Sequence, residues 1–64
     1  MGAVASEAKP GDTVLAPHKH DAVSGDKHPV ELLRWFMKDG YERAEVRDGA
    51  HTWDVDASTV EATP

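Results

Sequence analysis

The chain has 64 residues, a net charge of −5 and no cysteine. This length allows one small domain, and chains of this size often depend on a metal, a disulfide or a partner for stability. The missing cysteines exclude disulfides and thiolate metal sites. Seven Lys and Arg residues are scattered among twelve acidic ones, which argues against a nucleic-acid partner because phosphate binding needs clustered basic side chains.

Membrane association is also not expected. No apolar run exceeds three residues, as in Trp35-Phe36-Met37, far short of the roughly 20 residues of a membrane-spanning helix. The N-terminus lacks the basic and apolar regions of a secretory signal. We therefore expect no membrane partner, and a cytoplasmic location unless the chain belongs to a virus particle.

The first elements along the chain are an arm, a strand and a loop. Residues 1–12 are small and polar and end in Pro-Gly-Asp, which is typical of an extended N-terminal arm. Residues 13–16 predict a short strand, and Pro17 stops it. A polar loop follows, with Ser24-Gly25 as its expected turn.

Residues 29–39 predict a helix. Pro29 suits the first helical position, and Gly40 suits a left-handed C-cap. At about 100° per residue, the apolar side chains spread over more than half of the helical wheel, and a surface helix needs only a narrower stripe. The apolar residues are Val30, Leu32, Leu33, Trp35, Phe36 and Met37. One small sheet cannot cover so wide an arc, so the flank at Trp35 is expected to contact something else.

A β-hairpin is predicted next. Two stretches with alternating polarity, 41–47 and 50–56, flank the dipeptide Asp48-Gly49, which is a strong type I′ turn signal. A two-residue loop at this dipeptide fixes the pairing of all the other residues of the two strands.

The predicted register gives the hairpin an apolar face and a polar face. Ala44 is expected opposite Trp53 on the apolar face, and Arg43 opposite Asp54 on the polar face. Residues 57–64 are expected to form a polar tail. The predicted fold is therefore α+β, a small β-α-β-β domain over residues 13–56 with one helix on a short antiparallel sheet, an N-terminal arm at 1–12 and a C-terminal tail at 57–64.

The loop before the predicted helix contains three of the four histidines, His18, His20 and His28. His18 and His20 point the same way on an extended segment, and with His28 and Asp21 they could offer zinc three nitrogens and one oxygen. Their spacing fits no established zinc signature, so we expect a solvated loop, no metal and no cofactor. A small cytoplasmic regulatory or metal-binding module that uses the three histidines is the alternative function.

No motif points to catalysis. The sequence contains no glycine-rich phosphate loop and no HExxH, and its serines lie in no nucleophile motif. We therefore expect no enzyme and assign no catalytic residue.

A protein partner is the better-supported expectation. Tryptophan is enriched among the residues that dominate binding energy at interfaces, and the predicted helix leaves Trp35 unpaired with the sheet. The expected contact surface combines the Trp35 flank with the arm and first strand. Its residues are Trp35, Leu32, Val14 and Leu15. The partner is either a capsid-type lattice or a second copy of the chain.

Residues 30–43, VELLRWFMKDGYER, resemble short proteins encoded among tailed-phage head and tail genes. Those proteins often show an apolar helix that ends in a Gly-Tyr pair at the start of a strand. The resemblance implies a structural virion component, such as a capsid decoration or head-completion protein, that binds a shell lattice through an extended arm. The expected function is therefore that of a non-catalytic structural or assembly protein of a phage-like particle.

Overall fold

The computed structural model describes residues 8–18 and 26–63. Five antiparallel strands form one sheet: β1 (Thr13–Pro17), β2 (Lys27–Lys38), β3 (Tyr41–Asp48), β4 (His51–Asp56) and β5 (Glu61–Ala62). A 3₁₀ turn at Ala57–Thr59 connects β4 to β5. The strand order in the sheet is β4-β3-β2-β1-β5. The described residues include no helix that is long and apolar enough to cross a membrane.

The predicted α+β class is wrong, because residues 29–39 lie in the long strand β2 and the following turn instead of forming a helix. Val30 and Leu32 are buried, as alternate residues on one face of a strand are. A bulge between Leu32 and Arg34 then inserts one residue, so that Trp35 packs against the core next. The bulge interrupts the alternation, and the interrupted pattern looks like a helix with a very wide apolar arc.

The Asp39-Gly40 pair closes the β2–β3 hairpin instead of capping a helix. Lys38 pairs with Tyr41 across it. Both turn residues have a positive φ, 54° for Asp39 and 83° for Gly40, and a type I′ turn requires this at both central positions. Glycine adopts such a φ freely, and aspartate is among the few other residues that tolerate it.

The hairpin of β3 and β4 is confirmed in its strands, but its turn lies one residue further along the chain. Asp48 pairs with His51, so the loop residues are Gly49 and Ala50. Of these two, only Gly49 has a positive φ, 64°. A positive φ at the first central position alone is the pattern of a type II′ turn.

The later turn shifts the register by two residues along β4. Ala44 pairs with Val55 where the predicted partner was Trp53. A shift of two keeps every side chain on its predicted face, so the apolar and polar faces are confirmed although the pairs are wrong. Arg43 still reaches Asp54, now diagonally, with 2.8 Å between Nε and Oδ2.

The sheet curls into a small, incompletely closed barrel. In a flat sheet with strands about 4.8 Å apart, the edge strands β4 and β5 would be separated by about 19 Å. Only residues 57–60 connect them, and three of these form a 3₁₀ turn, which rises only about 2 Å per residue. The two edges must therefore approach each other. Consistently, Trp53 of β4 donates a hydrogen bond from Nε1 to the carbonyl oxygen of Pro17 in β1, at 3.1 Å, although two strands lie between them.

The interior of the barrel is filled by small and branched apolar side chains. The fully or nearly fully buried ones are Val14, Ala16, Val30, Leu32, Ala44, Val46, Val55 and Val60. Ala8, Trp35 and Trp53 pack against this cluster and are partly buried. Val60 and Ala8 come from the segments predicted as tail and arm, so the described parts of both segments belong to the domain.

A β-turn ties the segment before β1 to the bulge in β2. The amide of Asp12 donates to the carbonyl oxygen of Lys9, at 2.9 Å, and the intervening Pro10 and Gly11, with φ 97° at Gly11, suit the central positions of a type II turn. Leu32 then bonds this turn through both of its backbone groups. Its carbonyl oxygen accepts from the amide of Gly11 at 2.8 Å, and its amide donates to the carbonyl oxygen of Asp12 at 2.9 Å.

Candidate binding groove

The four residues predicted to bind a partner do not form one exposed surface. Val14 and Leu32 are 1% and 0% exposed, so they belong to the core and offer no surface to a partner. Leu15 points to the other side of β1 and is partly buried. Trp35 is also partly buried, and its Nε1 donates to the carbonyl oxygen of Ala8 at 2.9 Å. The flank of Trp35 that seemed free in the sequence is thus covered by the chain itself.

The predicted histidine cluster is only partly within the described residues. The rings of His18 and His28 meet edge to face, with their centroids 4.8 Å apart, and Nε2 of His18 lies 2.8 Å from Oδ2 of Asp48. His20 and Asp21 lie outside the described residues. Over residues 8–18 and 26–63, no group of three metal-ligating side chains comes together.

A groove of about 290 Å³ opens beside β4. Its lining residues are Pro17, His18, Arg43, Trp53, Asp54, Val55, Asp56 and Thr59. Four of them, residues 53–56, are consecutive in β4. Because consecutive residues of a strand point to opposite faces, a groove that touches all four follows the edge of the strand and not one of its faces. We call it the edge groove.

The edge groove lies on the side of β4 that has no neighbouring strand within residues 8–18 and 26–63. β4 is the end strand of the sheet, and within the described residues it pairs only with β3. The turn hydrogen bond joins Asp48 and His51, and hydrogen-bonded and non-hydrogen-bonded pairs alternate along an antiparallel ladder. Thr52, Asp54 and Asp56 therefore direct their backbone N–H and C=O groups away from β3 and toward the groove.

Two side-chain contacts agree with this alternation. The carbonyl oxygen of Asp54 accepts a hydrogen bond from Nη2 of Arg43 at 3.3 Å. The carbonyl oxygen of Asp56 accepts one from Oγ1 of Thr59 at 2.7 Å. Each carbonyl oxygen has a second lone pair, so the edge keeps its capacity to accept hydrogen bonds from another chain.

One wall of the edge groove is aromatic and apolar. Trp53 is fixed by its bond to the carbonyl oxygen of Pro17, and its ring lies 4.9 Å from the ring of His18 at a tilt of 42°. His18 is in turn oriented by its contact with Asp48. The wall is thus held by contacts between β1, β4 and the β3–β4 turn.

The other wall carries two carboxylates with lowered pKa values. The hydrogen bond from Nε of Arg43 lowers the pKa of the Asp54 carboxyl. Hydrogen bonds from the amide and hydroxyl of Ser58, at 3.0 and 2.9 Å, lower the pKa of the Asp56 carboxyl. Both side chains are therefore anionic at neutral pH. The groove offers backbone hydrogen bonds, an aromatic surface, the Arg43–Asp54 ion pair and the negative charge of Asp56.

Comparison with protein-family models, with curated proteins and with solved structures finds no match for this chain. The resemblance of residues 30–43 to phage head and tail proteins therefore stays a prediction.

The edge groove itself was missed in the sequence because it is assembled by closure of the barrel, which brings residues 17–18, 53–56 and 59 together. The one local signal was Trp53 beside two aspartates at alternate positions, in the last long strand.

Proposed function

We propose that this chain is a non-catalytic protein-interaction module that holds an extended segment of a partner protein in the edge groove. The observation that carries the proposal is the run of four consecutive β4 residues along the groove. It places a strand edge, unpaired in the part of the chain that the structure describes, directly beside the Trp53 ring. An extended peptide that adds to a sheet edge gains affinity from backbone hydrogen bonds and specificity from pockets for alternate side chains.

Within this class, we propose that the chain is a minor structural component of a phage-like particle, of the capsid decoration or head-completion type. The resemblance of residues 30–43 is the support for this finer role. Binding by strand addition suits such a role, because it needs a rigid sheet and a partner segment but no cofactor. The particle would then also be the location of the protein.

Thr52 offers a variant that tests the groove without touching the core. It is exposed, and its N–H points away from β3, so proline should remove an edge donor without breaking the ladder. Thr52→Val, which keeps the N–H, is the matched control. A library of random extended peptides selected on the wild-type chain should yield peptides that bind Thr52→Val but not Thr52→Pro. Selection of no peptide, or of peptides that bind both variants equally, would refute binding at the edge of β4.

The particle role has a separate test. A tagged chain expressed in its source cells should sediment with large assemblies in a density gradient, and Thr52→Pro should stay with the small proteins at the top. A wild-type chain that is never found with large assemblies contradicts the particle role but leaves the groove proposal standing.

A further inference from the structure

We propose that the segment held in the edge groove is an extended peptide in which basic and apolar residues alternate, added as a sixth strand beside β4. This inference rests on the proposed function, since it names the class of ligand that the same groove takes. It follows from the side chains on the two faces of β4, both of which border the edge groove.

The basic positions follow from Asp54 and Asp56. These residues are two apart in a strand, so their side chains point to the same face. A strand laid beside β4 also presents every second residue to that face, and basic side chains at those positions would lie next to the two carboxylates. Opposite charges on neighbouring strands stabilise the pair. Asp54 is already paired with Arg43, whose guanidinium also lines the groove, so the attraction rests mainly on Asp56, whose carboxylate is bonded by the neutral Ser58.

The apolar positions follow from the other face of the same strand. On this face the partly buried Trp53 lines the groove, whereas Val55 is 8% exposed and belongs to the core. The intervening residues of an added strand would point to this surface. Removing apolar area from water is favourable, so apolar side chains are the ones that gain at these positions.

A second copy of this chain is the occupant that the charges disfavour. If β4 paired with β4 of another copy, Asp54 and Asp56 would face the same carboxylates across the new pair. Like charges directly opposite each other on neighbouring strands are destabilising, and charged residues on an edge strand are a common protection against self-pairing. The net charge of −5 adds a long-range preference for a basic partner.

Three synthetic peptides of equal length test the inference: alternating Lys-Val, alternating Thr-Val and alternating Glu-Val. Their binding to the wild-type chain is measured by fluorescence anisotropy of labelled peptides. We expect the Lys-Val peptide to bind about threefold more tightly than the Thr-Val peptide, which corresponds to one exposed charge pair at Asp56, and the Glu-Val peptide to bind most weakly. The advantage of Lys-Val should shrink in about 1 M salt, where the Debye length falls to about 3 Å.

Two variants locate the binding. Asp56→Asn keeps a side-chain oxygen that can cap the 3₁₀ turn but removes one charge, so it should weaken Lys-Val binding several-fold and leave Thr-Val binding unchanged. Thr52→Pro should weaken both peptides relative to Thr52→Val. Equal binding of Lys-Val and Thr-Val, with both lost in Thr52→Pro, would overturn the charge inference while supporting the groove. If no peptide distinguishes Thr52→Pro from Thr52→Val, the groove proposal itself fails.

Discussion

The indole of Trp35 joins two segments that are far apart in the sequence. Its ring packs against the barrel core, and its Nε1 bonds to the carbonyl oxygen of Ala8, 27 residues earlier. The hydrophobic pattern placed Trp35 off the main apolar stripe of a predicted helix, whereas in strand β2 Trp35 is the next residue after Leu32 to pack against the core. It could not show that the chain before β1 folds back over this position, because Ala8 is a single small residue in a polar stretch.

Trp35 should therefore matter for folding of the isolated chain. Trp35→Ala should lower the free energy of unfolding by about 2–4 kcal/mol, through lost packing and a lost hydrogen bond. Tyr41→Ala is the control, because Tyr41 is 69% exposed, and it should change the stability by less than about 0.5 kcal/mol. Urea unfolding followed by circular dichroism measures both. If Trp35→Ala were as mild as Tyr41→Ala, Trp35 would be a surface residue available to a partner, as its sequence suggested.

Asp54 should link stability to pH. Its hydrogen bond from Arg43 lowers its pKa in the folded state below the ordinary value of about 3.9. A lowered folded pKa means that the ionised form favours folding, so this stabilisation is present above about pH 4 and is lost as the pH falls through the folded pKa. Because the pair is partly exposed to solvent, we expect the contribution to be less than about 1 kcal/mol.

Asp54→Asn removes this titration and provides the comparison. The free energy of unfolding should fall less steeply for Asp54→Asn than for the wild type between about pH 5 and pH 2. Asp56, whose lowered pKa comes from Ser58, titrates in both proteins and cancels in the difference. Parallel curves for the two proteins would show that the bond to Arg43 does not favour the carboxylate in solution.

At the scale of elements, the two Asp-Gly dipeptides show what local patterns can and cannot predict. The faces of β3 and β4 follow from strict alternation over several residues, and they were predicted correctly. The turn position was wrong by one residue, because Asp48-Gly49 satisfies the type I′ signal while the structure uses Gly49-Ala50. Asp39-Gly40 is the true type I′ pair, but a glycine after a helix-like stretch equally predicts a C-cap.

The bulge in β2 explains why residues 29–39 were wrongly predicted to form a helix. Without it, Val30 and Leu32 would be followed by a buried residue at position 34, and the period of two would identify a strand. The extra residue moves the next core contact to Trp35, three positions after Leu32, which is a helical spacing. A one-residue insertion is visible only from the partner strand, so no pattern within residues 29–39 could have revealed it.

The β2–β3 turn gives an element-scale prediction. Asp39 has φ 54°, which a β-branched side chain adopts only at a cost of roughly 1–2 kcal/mol. Asp39→Val should therefore lower the free energy of unfolding by about that amount, while Asp39→Asn, a residue that tolerates this region, should be nearly neutral. Urea unfolding of the three proteins measures the difference. Equal stability of the Val and Asn variants would mean that the turn is not type I′ in solution.

At the scale of the whole molecule, closure of the barrel both completes the core and creates the edge groove. Residues 57–60 carry the chain from one edge of the sheet to the other, and Val60 enters the core with 5% exposure. In the sequence Val60 is one apolar residue in the stretch ASTVEATP. A single position has no period, so neither its burial nor the groove that closure forms could be predicted from the pattern of residues.

Closure predicts that the C-terminal segment is essential for folding. Ending the chain at Thr59 removes Val60 and β5, which pairs with β1 at Val14 and Leu15. Burial of one valine contributes roughly 1.5–3 kcal/mol, while a domain of this size has about 3–10 kcal/mol in total at typical values per residue. The truncated chain should therefore be largely unfolded at 25 °C, with a collapsed amide dispersion in its NMR spectrum.

Thr63→Ala separates loss of closure from a general effect of changing the C-terminus. Its hydroxyl donates to the carbonyl oxygen of Thr13 at 3.2 Å in an exposed position, so removing it should cost less than about 0.5 kcal/mol. The loss of stability in Val60→Ala should lie between the losses in Thr63→Ala and in the truncated chain, because Val60→Ala leaves β5 in place but opens a small cavity in the core. A truncated chain that kept the dispersed spectrum and thermal midpoint of the full chain would show that β1–β4 fold without closure. The edge groove would then lose Thr59 as a fixed wall, and the peptide affinities of the truncated and full chains should differ accordingly.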